Sequence, residues 1–519
     1  MPQIFRFMFK RTLLAAMASV ALFAACDKEK EKEEVIPVSF SSFGFYAKDN
    51  ADVLKTDYIV DNVTSDAISF TLPYGTDPEA LKSLVPEFTV TEGASVNVAD
   101  ASGAPDGKDI VSGVTTVDFS SPVQLVVFLK NNFKAYSVAV KIAEPAKWGK
   151  VAESALVMKS NPAFAINPKD GVPYVAGSSV NADGVAEPHL LKLDGAELKD
   201  VAGALAAGKS DGFAVNFDAS GVPFVAFADG TASNKMSVVR VADGKGSYVG
   251  EAGQMFATSA SFSSVSAVFP VSDKDIWCAH YNNTNKVAVP RRGLNLARFD
   301  GSAWSNGQAI DGREPAAYAN GVFGKTINGE SYLYVYGTQT KTIPSHISMY
   351  KLNNGTWSTI FENLEVAGTD GSVVSNYGAF FSDFDVASDG SIYFLFSATF
   401  DGGDNYEYGV VKYDPVSKKQ LLIGGAMTDV LVSGKYTMGS IALDSNDVPY
   451  VALAYTDGDV KKTAVRHIDS KTKTWSELTP LGTNASFATI RFDEGGKGYI
   501  VSVEESEAGD KYVLYSTAE

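Results

Sequence analysis

Ala214-Val215-Asn216-Phe217-Asp218-Ala219-Ser220-Gly221-Val222-Pro223-Phe224-Val225-Ala226 is the stretch whose reading decides the fold. An apolar run, an acidic residue with small residues and a glycine, and a second apolar run opened by proline and an aromatic spell strand, tight turn, strand. Pro223 is tolerated because it falls at the first residue of the second strand. The pattern returns at 165–176 and 441–452, and weaker copies end in Trp277, Tyr332, Tyr393 and Tyr499. With Tyr174, Phe224 and Tyr450 these aromatics follow one another at steps of 49 to 61 residues, the length of four short strands with their turns. Third strands end in turns before a tryptophan, at Trp304, Trp357 and Trp475, and each of these is expected to open a fourth, outermost strand.

The last copy stops at Glu519 after three strands, whereas Lys147-Trp148-Gly149-Lys150-Val151 looks like an outer strand with no preceding copy. It should complete the last sheet and close a ring, which removes the exposed sheet edges that would otherwise pair with another molecule. Residues 146–519 resemble the seven-bladed β-propellers with NHL-like or kelch-like repeats. The expected fold class is therefore all-β: a sandwich followed by a seven-bladed β-propeller closed by an N-terminal outer strand. That resemblance speaks to fold and leaves function open.

Upstream, 37–145 reads as strands over 39–46, 67–72, 87–91, 123–129 and 135–142, with a short helix at Asp77-Pro78-Glu79 and onward, where Asp77 can cap and Pro78 takes the first position. A segment of this size suits an immunoglobulin-like sandwich. It resembles the N-terminal sandwich modules of Bacteroides-type lipoproteins in Leu72-Pro73-Tyr74-Gly75-Thr76-Asp77, Val117-Asp118-Phe119-Ser120 and Tyr136-Ser137-Val138, a resemblance that implies a spacer and no chemistry.

The first 25 residues form an address. Arg6, Lys10 and Arg11 precede an apolar run, 12–25, too short to span a bilayer. Leu22-Phe23-Ala24-Ala25-Cys26 resembles a bacterial lipobox, which implies that Cys26 is lipidated. The charged tract 26–36 is a tether and resembles the export signal of Bacteroidetes-type surface lipoproteins. Together these imply an outer-membrane, lipid-anchored protein facing the cell exterior. With 44 Lys+Arg against 61 Asp+Glu and a formal charge of -17, nucleic acid is excluded as a partner and the acyl chain, not charge, must hold the membrane. Cys278, in an apolar strand, is expected to be a small buried residue.

In the expected strand order, tight first-to-second and third-to-fourth turns share one face and the longer connections share the other, where function usually sits. Those connections carry Tyr281, Arg291, Arg292, Tyr318, Tyr377, Phe400, Asp404, Tyr406 and Tyr436, aromatic faces with polar neighbours of the kind a pyranose needs. The expected ligand is a polysaccharide or oligosaccharide, captured for an outer-membrane uptake system. A glycoside hydrolase or polysaccharide lyase on the same face, or a protein-interaction or adhesion module, are the alternatives. The expectation leans away from an enzyme, because no catalytic residue stands out: the four histidines lack metal-ligand spacing, and Asp383, Asp385 and Arg491 on inner strands fit satisfied polar groups better than an acid pair. No cofactor or metal is expected; Asp401-Gly402-Gly403-Asp404 lacks the ligand count of a calcium loop.

Overall fold

The computed structural model describes residues 37–100, 102–207, 210–257, 266–282, 293–311, 321–337, 346–365, 380–398, 406–432 and 439–518. Among them the chain is β throughout, apart from two short 3-10 helices at Pro78–Ser83 and Gly230–Ala232.

The N-terminal module stacks two sheets. In one, Phe40–Phe45 lies between Tyr58–Val60 and Glu87–Val90; in the other, the order is Ala67–Leu72, Asn132–Ile142, Val123–Leu129, Ser95–Ala99 and Pro105–Asp109. Alternation drives the stacking: along Ala67–Leu72 every second side chain, Ile68, Phe70 and Leu72, is buried. Phe40, Phe43 and Phe45 from the first sheet meet Phe70, Leu125, Val127 and Tyr136 of the second in one core. The capped helix forms as the sequence dictates, with Asp77 accepting from the Glu79 amide and Pro78 at the start. Three strands escaped the sequence reading: Tyr58–Val60, Ser95–Ala99 and Pro105–Asp109. Pro105–Asp109 has four exposed residues and no apolar face, so no periodicity announces it.

Beyond this module come four-stranded antiparallel sheets, named here by the aromatic that marks each repeat. The Phe224 sheet contains Ser210–Phe217, Pro223–Asp229, Lys235–Ala242 and Lys245–Tyr248; the Trp277, Tyr332, Tyr393 and Tyr450 sheets repeat that order. The turn chemistry matches the sequence. Asp218 Oδ1 accepts from the Ser220 and Val222 amides and Asp444 Oδ1 from those of Asn446 and Val448, while Gly221 takes the left-handed backbone that the turn demands. One expectation fails in detail. Trp475 does not open a strand: it bridges to Ile468, and the outer strand of the Tyr450 sheet begins at Thr479, because Lys473 and the turn from Asp469 lengthen the connection.

Inner strands lie against one another in succession, 163–166 on 210–217, then 266–272, 321–327, 380–386, 440–443 and 485–492, which returns to 163–166. Trp148–Ser154 pairs antiparallel with Lys511–Thr517, so it is the outer strand of the Tyr499 sheet, and on its other side it pairs in parallel with Glu197–Asp200 of the Tyr174 sheet. The five tryptophans serve packing. Trp277 and Trp357 meet edge to face at 6.2 Å, and Trp148 covers Tyr450 and Phe492 across two sheets.

Closure can be tested at Ala152, which is buried and faces Leu514 across the closing pair. Ala152→Asp places an unpaired carboxylate there and should lower unfolding stability by about 3 kcal/mol in urea titrations. A loss below about 1 kcal/mol would mean that this strand does not hold the sheets together.

Candidate functional site

Strand direction assigns the two faces. Connections from second to third strands and from one sheet to the next all leave the same end of the sheets, the end where residues 282, 293, 311, 321, 337, 346, 365, 380, 398 and 406 lie. The tight turns occupy the other end. The N-terminal module sits over the tight-turn end: Lys55 Nζ lies 2.7 Å from Asp447 Oδ2, and Tyr74 meets His467 at 4.9 Å between ring centroids. Phe40 packs on Tyr136 while Phe45 packs on Phe70, so the strand that starts at Phe40 runs toward the same pole as the strands ending at Leu72 and Ile142. Residue 37 therefore enters at the pole away from the sheets, and the long-connection face points away from that entry.

Of the residues nominated on this face, Tyr281 and Tyr406 are described. Tyr281 is 7% exposed and packs in the apolar cluster of Leu294, Leu296, Val322 and Leu333. The sequence did not betray this, because an aromatic at a strand end suits either role. Tyr406 is half-buried at the start of Tyr406–Asp414 and packs beside the cluster of Tyr408, Met427 and Leu453. Arg291, Arg292, Tyr318, Tyr377, Phe400, Asp404 and Tyr436 lie outside the described residues, as does Cys26.

Polar groups at this end are used to hold connections in place. His280, fully buried, has Nδ1 3.1 Å from the Tyr281 carbonyl, and Asn295 Nδ2 lies 2.8 Å from its Nε2; Asn295 also donates to Asn306 Oδ1. That arrangement suits a neutral imidazole with its proton on Nδ1. Burial pushes the His280 pKa down to about 4. Asp200 holds His189 at 2.7 Å and accepts the Ala202 and Gly203 amides. Asp229 accepts from Thr231, Ser237 and Tyr248. Among the described residues no cluster of His, Cys, Asp or Glu could hold a metal ion. Cys278 is buried, and burial lifts its thiol to about 12, which fits an inert core residue.

At the axis, Lys325 is the residue that sequence reading missed; it sits on an inner strand otherwise marked by small and apolar residues. Its ammonium donates to the carbonyls of Phe384 and Ile441 and lies 3.1 Å from Asp383 Oδ1. Arg491 Nη1 reaches Asp383 Oδ2 at 3.2 Å, and Ser440 donates to that same oxygen. Asp385 accepts the Val386 and Leu443 amides. Burial works against the charge on Asp383, yet Lys325 and Arg491 outweigh it and hold the carboxyl below its ordinary range; Asp385 is pushed up by burial. Both carboxylates are buried, and each accepts hydrogen bonds from neighbouring strands.

Residues 53–140 match a family model described as "SGBP, N-terminal", the N-terminal domain of surface glycan-binding proteins. No curated protein matches the chain. Among solved structures, a protein of unknown function from Dyadobacter fermentans is 11% identical, with 72% of this chain and 99% of that one covered and a TM-score of 0.39. An α-L-arabinofuranosidase of Fusarium graminearum in complex with arabinobiose is 9% identical, with coverage of 59% and 92% and a TM-score of 0.35. An endo-arabinase from Bacteroides thetaiotaomicron is 9% identical, with coverage of 47% and 90% and a TM-score of 0.29.

The axial cluster and His280 each yield a test. Lys325→Met leaves the buried Asp383 with only the partly exposed Arg491 as its cation and should cost about 3 to 5 kcal/mol in denaturant unfolding, whereas Lys325→Met with Asp383→Leu and Arg491→Leu should recover most of it. For His280 the folded pKa lies below the unfolded value, so the unfolded chain binds the proton first. Stability is full above pH 6.5 and falls as pH drops toward 4, by on the order of 3 kcal/mol. His280→Asn should flatten that part of the stability–pH curve, and an unchanged slope would assign it elsewhere.

Proposed function

We propose that the chain is a lipid-anchored cell-surface binding protein that captures glycan on the long-connection face of a seven-bladed β-propeller. The family match at 53–140 to the N-terminal domain of surface glycan-binding proteins carries this reading. In this reading 1–25 is a signal peptide, Cys26 bears the lipid, 26–36 is a tether, 37–145 is an Ig-like sandwich and 146–519 is the propeller. The repeated four-stranded sheets, the succession of inner strands and the pairing of Trp148–Ser154 with the last sheet support the propeller.

The module's place over the tight turns supports the assignment of the opposite face to the ligand. A tether entering at residue 37 puts the sandwich nearest the membrane and the long connections farthest from it. Arg291, Arg292, Tyr318, Tyr377, Phe400, Asp404, Tyr406 and Tyr436 are the proposed contacts, with the rings stacking on C–H patches and the charged groups reading hydroxyls. Delivery to an outer-membrane transport complex completes the proposal.

A polysaccharide array followed by calorimetry tests it. Saturable binding without shortened product is expected, and Tyr377→Ala with Tyr406→Ala and Tyr436→Ala should weaken it at least roughly tenfold. Tyr281→Ala should instead lower stability with affinity kept. No binding on any glycan, or the appearance of shorter oligosaccharides, would overturn the proposal.

A further inference from the structure

The repeat carries a second pairing. Beside each tight turn the marker aromatic opens the second strand, and a residue of the third strand stands opposite it: Lys192 to Tyr174, Arg240 to Phe224, Arg298 to Trp277, Lys351 to Tyr332, Lys412 to Tyr393. Basic heads lie over the rings at 5.8 Å for Lys192, 5.1 Å for Arg298 and 5.5 Å for Lys351 and Lys412. On the Tyr499 sheet the opposite residue is Ser516, and Lys497 covers the ring instead, at 5.8 Å. Long cationic side chains thus cap the aromatic on the Tyr174, Trp277, Tyr332, Tyr393 and Tyr499 sheets, and Arg240 stands opposite Phe224.

The Tyr450 sheet departs from that rule. His467 stands opposite Tyr450, with ring centroids 5.1 Å apart. An imidazole is shorter than a lysine or arginine chain and ends in a flat ring, so it leaves room outside it. Tyr74 of the N-terminal module occupies that room, edge to face with His467 at an interplanar angle of 89°. Gly75 follows in the left-handed region, and a Cβ there would stand 2.3 Å from Val448 Cγ2. Lys55 bonds Asp447 and the Ser445 carbonyl at the turn beside it, and Ser388 of the Tyr393 sheet also donates to Asp447. Burial lowers the proton affinity of His467 and Asp469 only partly opposes it, which keeps a neutral ring in the stack.

We propose that His467 makes the Tyr450 sheet the socket for the N-terminal module, and that Tyr74 and Gly75 lock the module there as one rigid body with the repeated sheets. The spacer is thereby held by a fixed joint, keyed by the one short planar residue at a position otherwise occupied by a long cation or by Ser516. The inference stands apart from the glycan reading, since it concerns how any face is presented and not what that face binds.

Spin labels at Lys130→Cys, on the module's far pole, and Val416→Cys, on the exposed outer turn of the Tyr393 sheet, report the joint in a full chain with Cys26→Ser; Cys278 is buried and stays. Pulsed electron-electron distance measurements should give one narrow distribution. His467→Lys, which restores the capping cation, should broaden it, as should Gly75→Ala, while His467→Phe should keep it narrow. A broad distribution in the parent chain, or His467→Lys as narrow as the parent with both chains folded by circular dichroism, would overturn the proposal.

Discussion

Seven backbone partner pairs between Trp148–Ser154 and its two neighbours hold both the beginning and the end of the repeated region — a constraint on which the rest depends. A row of sheets has two open edges, and each edge offers unpaired amides and carbonyls to any passing strand. Here the chain's early strand is spent on its last sheet, so opening the ring requires breaking a ladder that joins residues more than 350 positions apart. Few local contacts stand in for it. The inner strands can only line up into a closed succession once that ladder exists, and the axial residues meet only after the inner strands do.

The axis shows what closure makes possible. Lys325, Asp383, Ser440 and Arg491 come from four different sheets, and the succession of inner strands brings them together. Charges removed from water are costly unless each is paired, and the pairing here is complete enough for Asp383 to remain ionised. Such a cluster favours one circular arrangement over others of similar apolar content, since a shifted sheet would strand a charge.

How much could be read beforehand follows from which signals are local. Asp218 with Gly221, Pro223 and Phe224 is a turn and a strand start within a few residues, so the repeat and its hairpins were legible, as was the capped turn at Asp77. The alternation of Ala67–Leu72 gave that strand its full extent. Pro105–Asp109 was not legible, for it has no buried face, and Trp475 misled because a longer turn moved the outer strand to Thr479. On the candidate face the limits were of another kind. Tyr281 and Tyr406 are the same residue type at strand ends, and only packing places the first within the core and leaves the second half-buried. Lys325 looked like any solvated lysine on a strand end, since its partners are contributed by sheets 59 and 116 residues further on.

The opposed poles of the N-terminal module carry a mechanical consequence. The chain enters beside Phe40 and leaves after Ile142 at the other end, and both strands run along the line joining those points. A pull applied between those two ends is directed along the strands. Hydrogen bonds lying across that line share the load together instead of parting one after another, so the module is suited to bear tension between its ends.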